Sequence, residues 1–511
     1  MKGARSHYDV LVLGADIPAL AAGALLSRRG FRVAWVPHDA VGNTYVWDDV
    51  VFRRGPEAAP FVDTPAWQQI AQDLSLPSLT PRRSAADSIV AQVVLPRHRV
   101  DLRSDREALL VELEREFPEL RRPTEELFDR FALARKELDE ALAIDAPWPP
   151  DGFFARRAVK KALSVARSLP ELNERDVLAD FPEGHEFRTV IHSLARFSVD
   201  TDPDALDGAQ IARGWSLALS GMPSLDGGRD ALARLLGDRI VQFGGDVRPK
   251  ERVSSIVVER GRVAGVRFDV TDEAMGCAHC ITSLSAQNAY ALARTEVTPS
   301  FMDQLALAEP VYARYALNVL IGPGGIPAGL AQRAYLVLDP RRPMAEENLL
   351  YTELSPADAL GRTVVTAHAL LPRAVVDEGS SYLARVRRRV LEALSRVIPF
   401  LSRNLLAVDS PHDGLDLEDR VHDLTTRVAA RWDGAPEPMA SVIRRWPDAF
   451  AGVCALPLRG PIANLWFVNR SIVPGFGEEG ALLAALSAVR EVTRTDPAKL
   501  RLRREVLRKP Q

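Results

Sequence analysis

Apolar positions from Tyr8 to Leu13 alternate and then run unbroken, as in a buried parallel strand, and Pro18 to Arg29 follows with the small-residue spacing of a packed helix. Phe31 to Val36 predicts a second strand and completes a β-α-β unit. Residues 65 to 175 are charged and carry helical period, as in DREALLVELEREF and PTEELFDRFALARKELDEALA, which predicts a helical cap. Residues 220 to 270 read as loop, helix, turn and a hairpin whose turn is Arg260-Gly261. A second region of mixed pattern, from about 295 to 440, includes the strands ARYALNVLIG and RTVVTAHALLP. Asn464 to Val492 closes the chain as strand, Gly-rich turn and helix. No repeat or low-complexity linker separates these stretches, so an α/β protein with interleaved lobes is expected.

Composition narrows the picture. A chain of 511 residues exceeds one ordinary core, so two lobes are expected. Hydrophobic residues make up 47%, charged residues 26%, and the net charge is -3, a balance that leaves no bias toward nucleic acid. Cys277, Cys280 and Cys454 are too few for a disulfide framework and point to a reducing, cytoplasmic setting. The basic start runs straight into the first strand without a signal-peptide core, and no stretch reaches the ~18 apolar residues that span a bilayer.

In a nucleotide-binding β-α-β unit, spaced glycines give the tight turn, the close approach of pyrophosphate and the helix-strand packing, while an acid ending the second strand holds the ribose. The corresponding residues here are Gly14, Asp16 and Ala19. Gly14 keeps the turn and Ala19 is small enough to pack, but Asp16 puts a carboxylate where phosphate would approach. Pro37 stands at the ribose position with neither carboxylate nor N–H donor, and Asp39 replaces it only if the strand end shifts.

Four later segments extend the pattern. They are VGNTYVWDDVVFRRGPEAAPF with Gly42 and Gly55-Pro56, SGMPSLDGGRDALARLLGDRI with Gly227 and Gly228, VSSIVVERGRVAGVRF around Val253, and LWFVNRSIVPGFGEEGALLAAL with Pro474, Gly475, Gly477 and Gly480. With the first unit, and in the same order, they resemble the phytoene desaturase family of FAD-dependent oxidoreductases, within the amine-oxidase-like flavoproteins. The resemblance implies a discontinuous Rossmann-like FAD-binding lobe (1–75, 215–292 and 440–497), an α+β substrate or cap lobe (76–214 and 293–439) and a basic tail (498–511). It implies FAD near Gly14, Asp16, Ala19, Gly42, Gly55, Val253, Arg470, Gly475, Gly477 and Gly480, and hydride transfer to flavin from an isoprenoid, polyene or other lipophilic substrate. It leaves the catalytic side chains unassigned.

Asp16 and Pro37 depart from that pattern, and so does Asn469-Arg470, where the family has a Gly-Asp pair whose acid meets the ribityl chain. Each lost hydrogen bond to a charged group costs roughly 1.5–3 kcal/mol, and a carboxylate about 4 Å from a phosphate adds about 4 kcal/mol at an effective dielectric near 20. Together these weaken binding by about three orders of magnitude or more unless Arg470 compensates. Two functions follow: an FAD-dependent oxidoreductase, favoured by the retained glycines, or a cofactor-free lipid- or protein-binding protein that keeps the fold. An NAD(P) dehydrogenase fits poorly, because the first unit lacks both the ribose acid and a phosphate-binding arginine.

Three other features are candidates for chemistry. Cys277-Ala-His-Cys280 has the spacing of a metal or redox half-site, without a second pair, and no metal is expected. His185, Arg188, His192 and Arg196 share one helix face, which either lines a substrate cavity or is a solvated or interlobe face. Residues 148–169, WPPDGFFARRAVKKALSVARSL, read either as a helix in a membrane interface or as one packed on its own lobe with a basic outer face.

Overall fold

The computed structural model describes residues 7–77, 89–174, 176–221, 227–294, 299–376, 379–420, 424–426, 435–445 and 450–495. The predicted basic tail, 498–511, lies outside the described residues.

The first strand, His7–Leu13, is a central member of a 7-stranded sheet, paired in parallel with Val33–Val36 on one side and Ala274–Thr282 on the other. Leu465–Phe467 adds in parallel beyond Ala274–Thr282, and the hairpin Val253–Glu259 and Arg262–Phe268 joins antiparallel to it. Its turn is at Arg260-Gly261 as predicted, with both residues at positive φ, 50° and 72°. The helix Ile17–Arg28 is packed between this sheet and neighbouring helices, and its buried Ala19, Ala21, Ala22 and Ala24 are small residues that let these elements approach closely. Helices Gly228–Gln242 and Gly477–Thr495 flank it.

The second lobe is a 10-stranded sheet centred on Pro310–Ile321 and Thr363–Pro372, both predicted as strands. One face packs on helix Ser380–Ser395, the other on Arg121–Leu142, Glu186–Ser198 and Gly208–Leu219. Its far edge is the pair Ile89–Val94 and Arg99–Arg103, inside the stretch expected to be mostly helical. A six-residue run rich in β-branched residues is lost in a window dominated by charged helical sequence, and the strand is stabilised by pairing with Arg333–Val337, far along the chain. Ala440–Ile443 also belongs to this sheet, against Pro310–Ile321. Among the described residues, no helix is long and apolar enough to cross a membrane.

Candidate functional site

The β-α-β turn has the expected backbone. Gly14 has φ +111°, and a Cβ there would lie 2.1 Å from the Ser283 hydroxyl, so glycine is required by the neighbouring strand end. Trp35 Nε1 donates to the Gly14 carbonyl at 2.8 Å. Asp16 caps the helix without a side-chain capping bond, and Pro18 removes one N–H from the first turn. The Asp16 side chain is open to solvent yet walled in by protein. That enclosure raises its pKa, opposed by the nearby Arg470 guanidinium and by a hydrogen bond from Ser283. A helix N-terminus that would attract phosphate therefore carries its own acid.

At the other end of the unit, His38 adopts a left-handed conformation, φ 57°, and its Nδ1 accepts the Val253 N–H at 3.1 Å. Burial lowers the His38 pKa, which keeps the ring neutral and able to accept. Asp39, the alternative ribose acid, pairs instead with Arg252 at 2.7 Å.

Carboxylates of the chain itself occupy the next donors. The Asn43 and Thr44 amides and the Thr44 hydroxyl all donate to Asp230, at 2.5, 3.0 and 2.6 Å. A Cβ on Gly42 would stand 2.9 Å from the same carboxylate. Gly55 donates no bond here but accepts from Asn43 Nδ2 at 3.3 Å, and the adjacent Glu57 and Ala58 amides donate to Glu353 at 2.6 and 2.9 Å. Glu353 is buried on the cap sheet, and although burial alone would raise its pKa, His368, the Glu57 amide and Arg333 bring it below the usual carboxylate value. Glu57 in turn accepts the Arg229 amide at 3.2 Å.

Arg470 lies at the centre of an ion cluster between the lobes. It donates to Glu478 at 2.6 Å and approaches Asp200 at 3.4 Å, while Arg229 also binds Glu478, at 2.8 Å through Nη2. Arg314, from the cap sheet, reaches Asp200 at 3.2 Å and the Val199 carbonyl. Arg470 is 43% exposed whereas Asp200, Arg229 and Arg314 are largely buried, so solvent reaches the cluster at Arg470. Asp200 Oδ2, Arg229 Nε and Arg314 Nε are buried and have no partner among the described residues.

The closing glycines are explained by protein packing. A Cβ on Gly475 would lie 2.5 Å from Gln210 Nε2 and 2.6 Å from Val453 Cα, and one on Gly480 1.9 Å from the Val473 carbonyl oxygen. Gly477 has φ +53° and faces the Ser198 carbonyl, at 2.3 Å from a Cβ. These glycines do not by themselves report a flavin. Gly14, Asp16, Gly42, Gly55, Val253 and Arg470 are legible as site residues in the sequence, whereas their partners His38, Asp230, Glu353, Glu478 and Asp200 are set by the tertiary fold. Of these partners, His38 has a local signal in the sequence, its place directly after Pro37.

The other candidates resolve separately. Cys277 and Cys280 lie three apart on the strand Ala274–Thr282, hence on opposite faces, and both are buried free thiols. Among the described residues no cluster of metal ligands occurs. His185 caps the helix Glu186–Ser198, Arg188 binds Asp176 at 2.5 Å and Arg196 binds Asp204 at 2.6 Å, so this face ties the helix to its own loops.

The fold is shared with solved structures of FAD-binding oxidoreductases. An oxidoreductase from Methanosarcina mazei superposes with TM-score 0.59 at 14% identity, covering 94% of this chain and 100% of that one. Putrescine oxidase bound to putrescine gives 0.56 at 15% identity over 96% and 99%, and cyclohexylamine oxidase from Brevibacterium oxydans gives 0.51 at 15% over 95% and 99%. No protein-family model and no curated protein sequence matches the chain.

Proposed function

We propose that this chain is a cofactor-free binding protein on the FAD-oxidoreductase fold, in which its own side chains take the contacts a flavin nucleotide would make. One observation carries the reading: the donors aligned for the cofactor are already engaged within the chain. His38 holds the Val253 amide, Asp230 the loop after Gly42, Glu353 the loop after Gly55, and Glu478 with Asp200 holds Arg470. Displacing these groups would cost their hydrogen bonds and return no equivalent ones, and Asp16 would still repel a pyrophosphate. FAD held in the usual way does not fit these residues, and no redox step is assigned to them.

A second reading is an FAD-dependent oxidoreductase that transfers hydride from a lipophilic substrate, as in phytoene desaturases. The whole-length likeness to solved oxidoreductase structures and the solvent-exposed side chains of Asp16 and Arg470 favour it. Flavin absorbance of the purified protein, and flavin released on heating, separate the two. Colourless folded protein supports the first; flavin near one per chain supports the second.

A further inference from the structure

The helix Gly152–Leu163 buries Val159 and Ala162, with Val159 in the core of the first lobe and Leu163 packed against it, so its apolar stripe is spent on its own fold. At about 100° per residue, Phe153, Phe154, Arg156, Arg157, Lys160 and Lys161 all fall on the outward side. Phe153 is 71% and Phe154 84% exposed, and their rings meet edge to face with centroids 5.6 Å apart. Two nearly bare adjacent phenyl rings forfeit the burial that normally stabilises such residues, so folding alone does not account for them. None of the four cations forms an ion pair with a described residue. The acids nearest in sequence, Asp151 and Asp145, are engaged by Arg459 at 3.3 Å and Arg490 at 2.9 Å.

We propose that this helix docks the protein on an anionic bilayer surface, with Phe153 and Phe154 entering the headgroup boundary and Arg156, Arg157, Lys160 and Lys161 binding lipid phosphates. Apolar rings set among unpaired cations complement a surface that is negative outside and apolar just beneath. The whole chain carries a net charge of -3, so attraction to such a surface has to come from a local patch of this kind. The inference is independent of whether flavin is bound.

Full-length protein is sedimented with vesicles of phosphatidylcholine alone and of phosphatidylcholine mixed equally with phosphatidylglycerol. Preference for the anionic vesicles of about tenfold or more is expected. Phe153→Ser with Phe154→Ser, and separately Lys160→Glu with Lys161→Glu, should each lower the bound fraction by about tenfold. Because these side chains are exposed, an unchanged melting temperature verifies the fold of each variant. Failure of the wild type to sediment with either vesicle overturns the proposal. So does a phenylalanine pair variant that binds as the wild type does, which would mean charge adsorption alone, or full displacement from vesicles by a single-stranded oligonucleotide, which would mark the patch as a nucleic-acid surface.

Discussion

Replacing Glu478 by Gln keeps the side chain's shape and removes the charge facing Arg229 and Arg470. Burial alone would raise the Glu478 carboxyl, but the two guanidinium groups outweigh it and hold the pKa at about 2, against an ordinary 4.5. That interval of about 2.5 pH units, at about 1.36 kcal/mol each, makes the ionised form about 3 kcal/mol more favourable than the neutral one in the folded chain. The side chain is 22% exposed, so solvent screens part of this, and a destabilisation of about 2–3 kcal/mol is expected at neutral pH. A carboxylate depressed by folding contributes fully above its unfolded pKa and loses that contribution as pH falls through the folded one. Wild type and variant should therefore diverge above about pH 4.5 and converge toward pH 2. Urea unfolding followed by tryptophan fluorescence reads this as a lower midpoint at unchanged slope. A variant within about 0.5 kcal/mol of the wild type at pH 7 would refute the claim that the cluster ties the lobes together.

His38→Ala frees the Val253 amide and should cost about 1 kcal/mol at pH 8 by urea unfolding. Since burial lowers the His38 pKa, its contribution is whole above the ordinary 6.5 and is lost as pH falls below it, so the difference should shrink at pH 5. Gly480→Ala would ordinarily favour a helix, but its Cβ would meet the Val473 carbonyl oxygen at 1.9 Å, main chain that cannot swing aside. A loss of about 3 kcal/mol or more is expected, and it should persist in excess FAD, because the clash is with protein.

The sequence revealed the strands and helices of the first lobe because their periods are long and their turn chemistry is local, as at Arg260-Gly261. It also placed the loops at Gly42 and Gly55 in the neighbourhood of the site. It could not show that Asp230 and Glu353 fill those loops, because these acids come from a helix and a strand distant in sequence and only the tertiary fold brings them in. The retained glycines suggested a flavin for a related reason: close approach by a backbone demands glycine whether the neighbour is cofactor or protein. At Gly475 and Gly480 the neighbour is protein, Val453 and Val473. Of the two readings of residues 148–169, the fold bears on the packed helix: Val159 is buried in the core of the first lobe, and the basic outer face also carries the exposed Phe153 and Phe154.

The central claim is tested most directly by titrating folded, flavin-free protein with FAD and following quenching of flavin fluorescence. If the chain's own side chains occupy the contacts, binding should be no tighter than about 100 μM, which is about −5.5 kcal/mol. A submicromolar dissociation constant with one FAD per chain would contradict it.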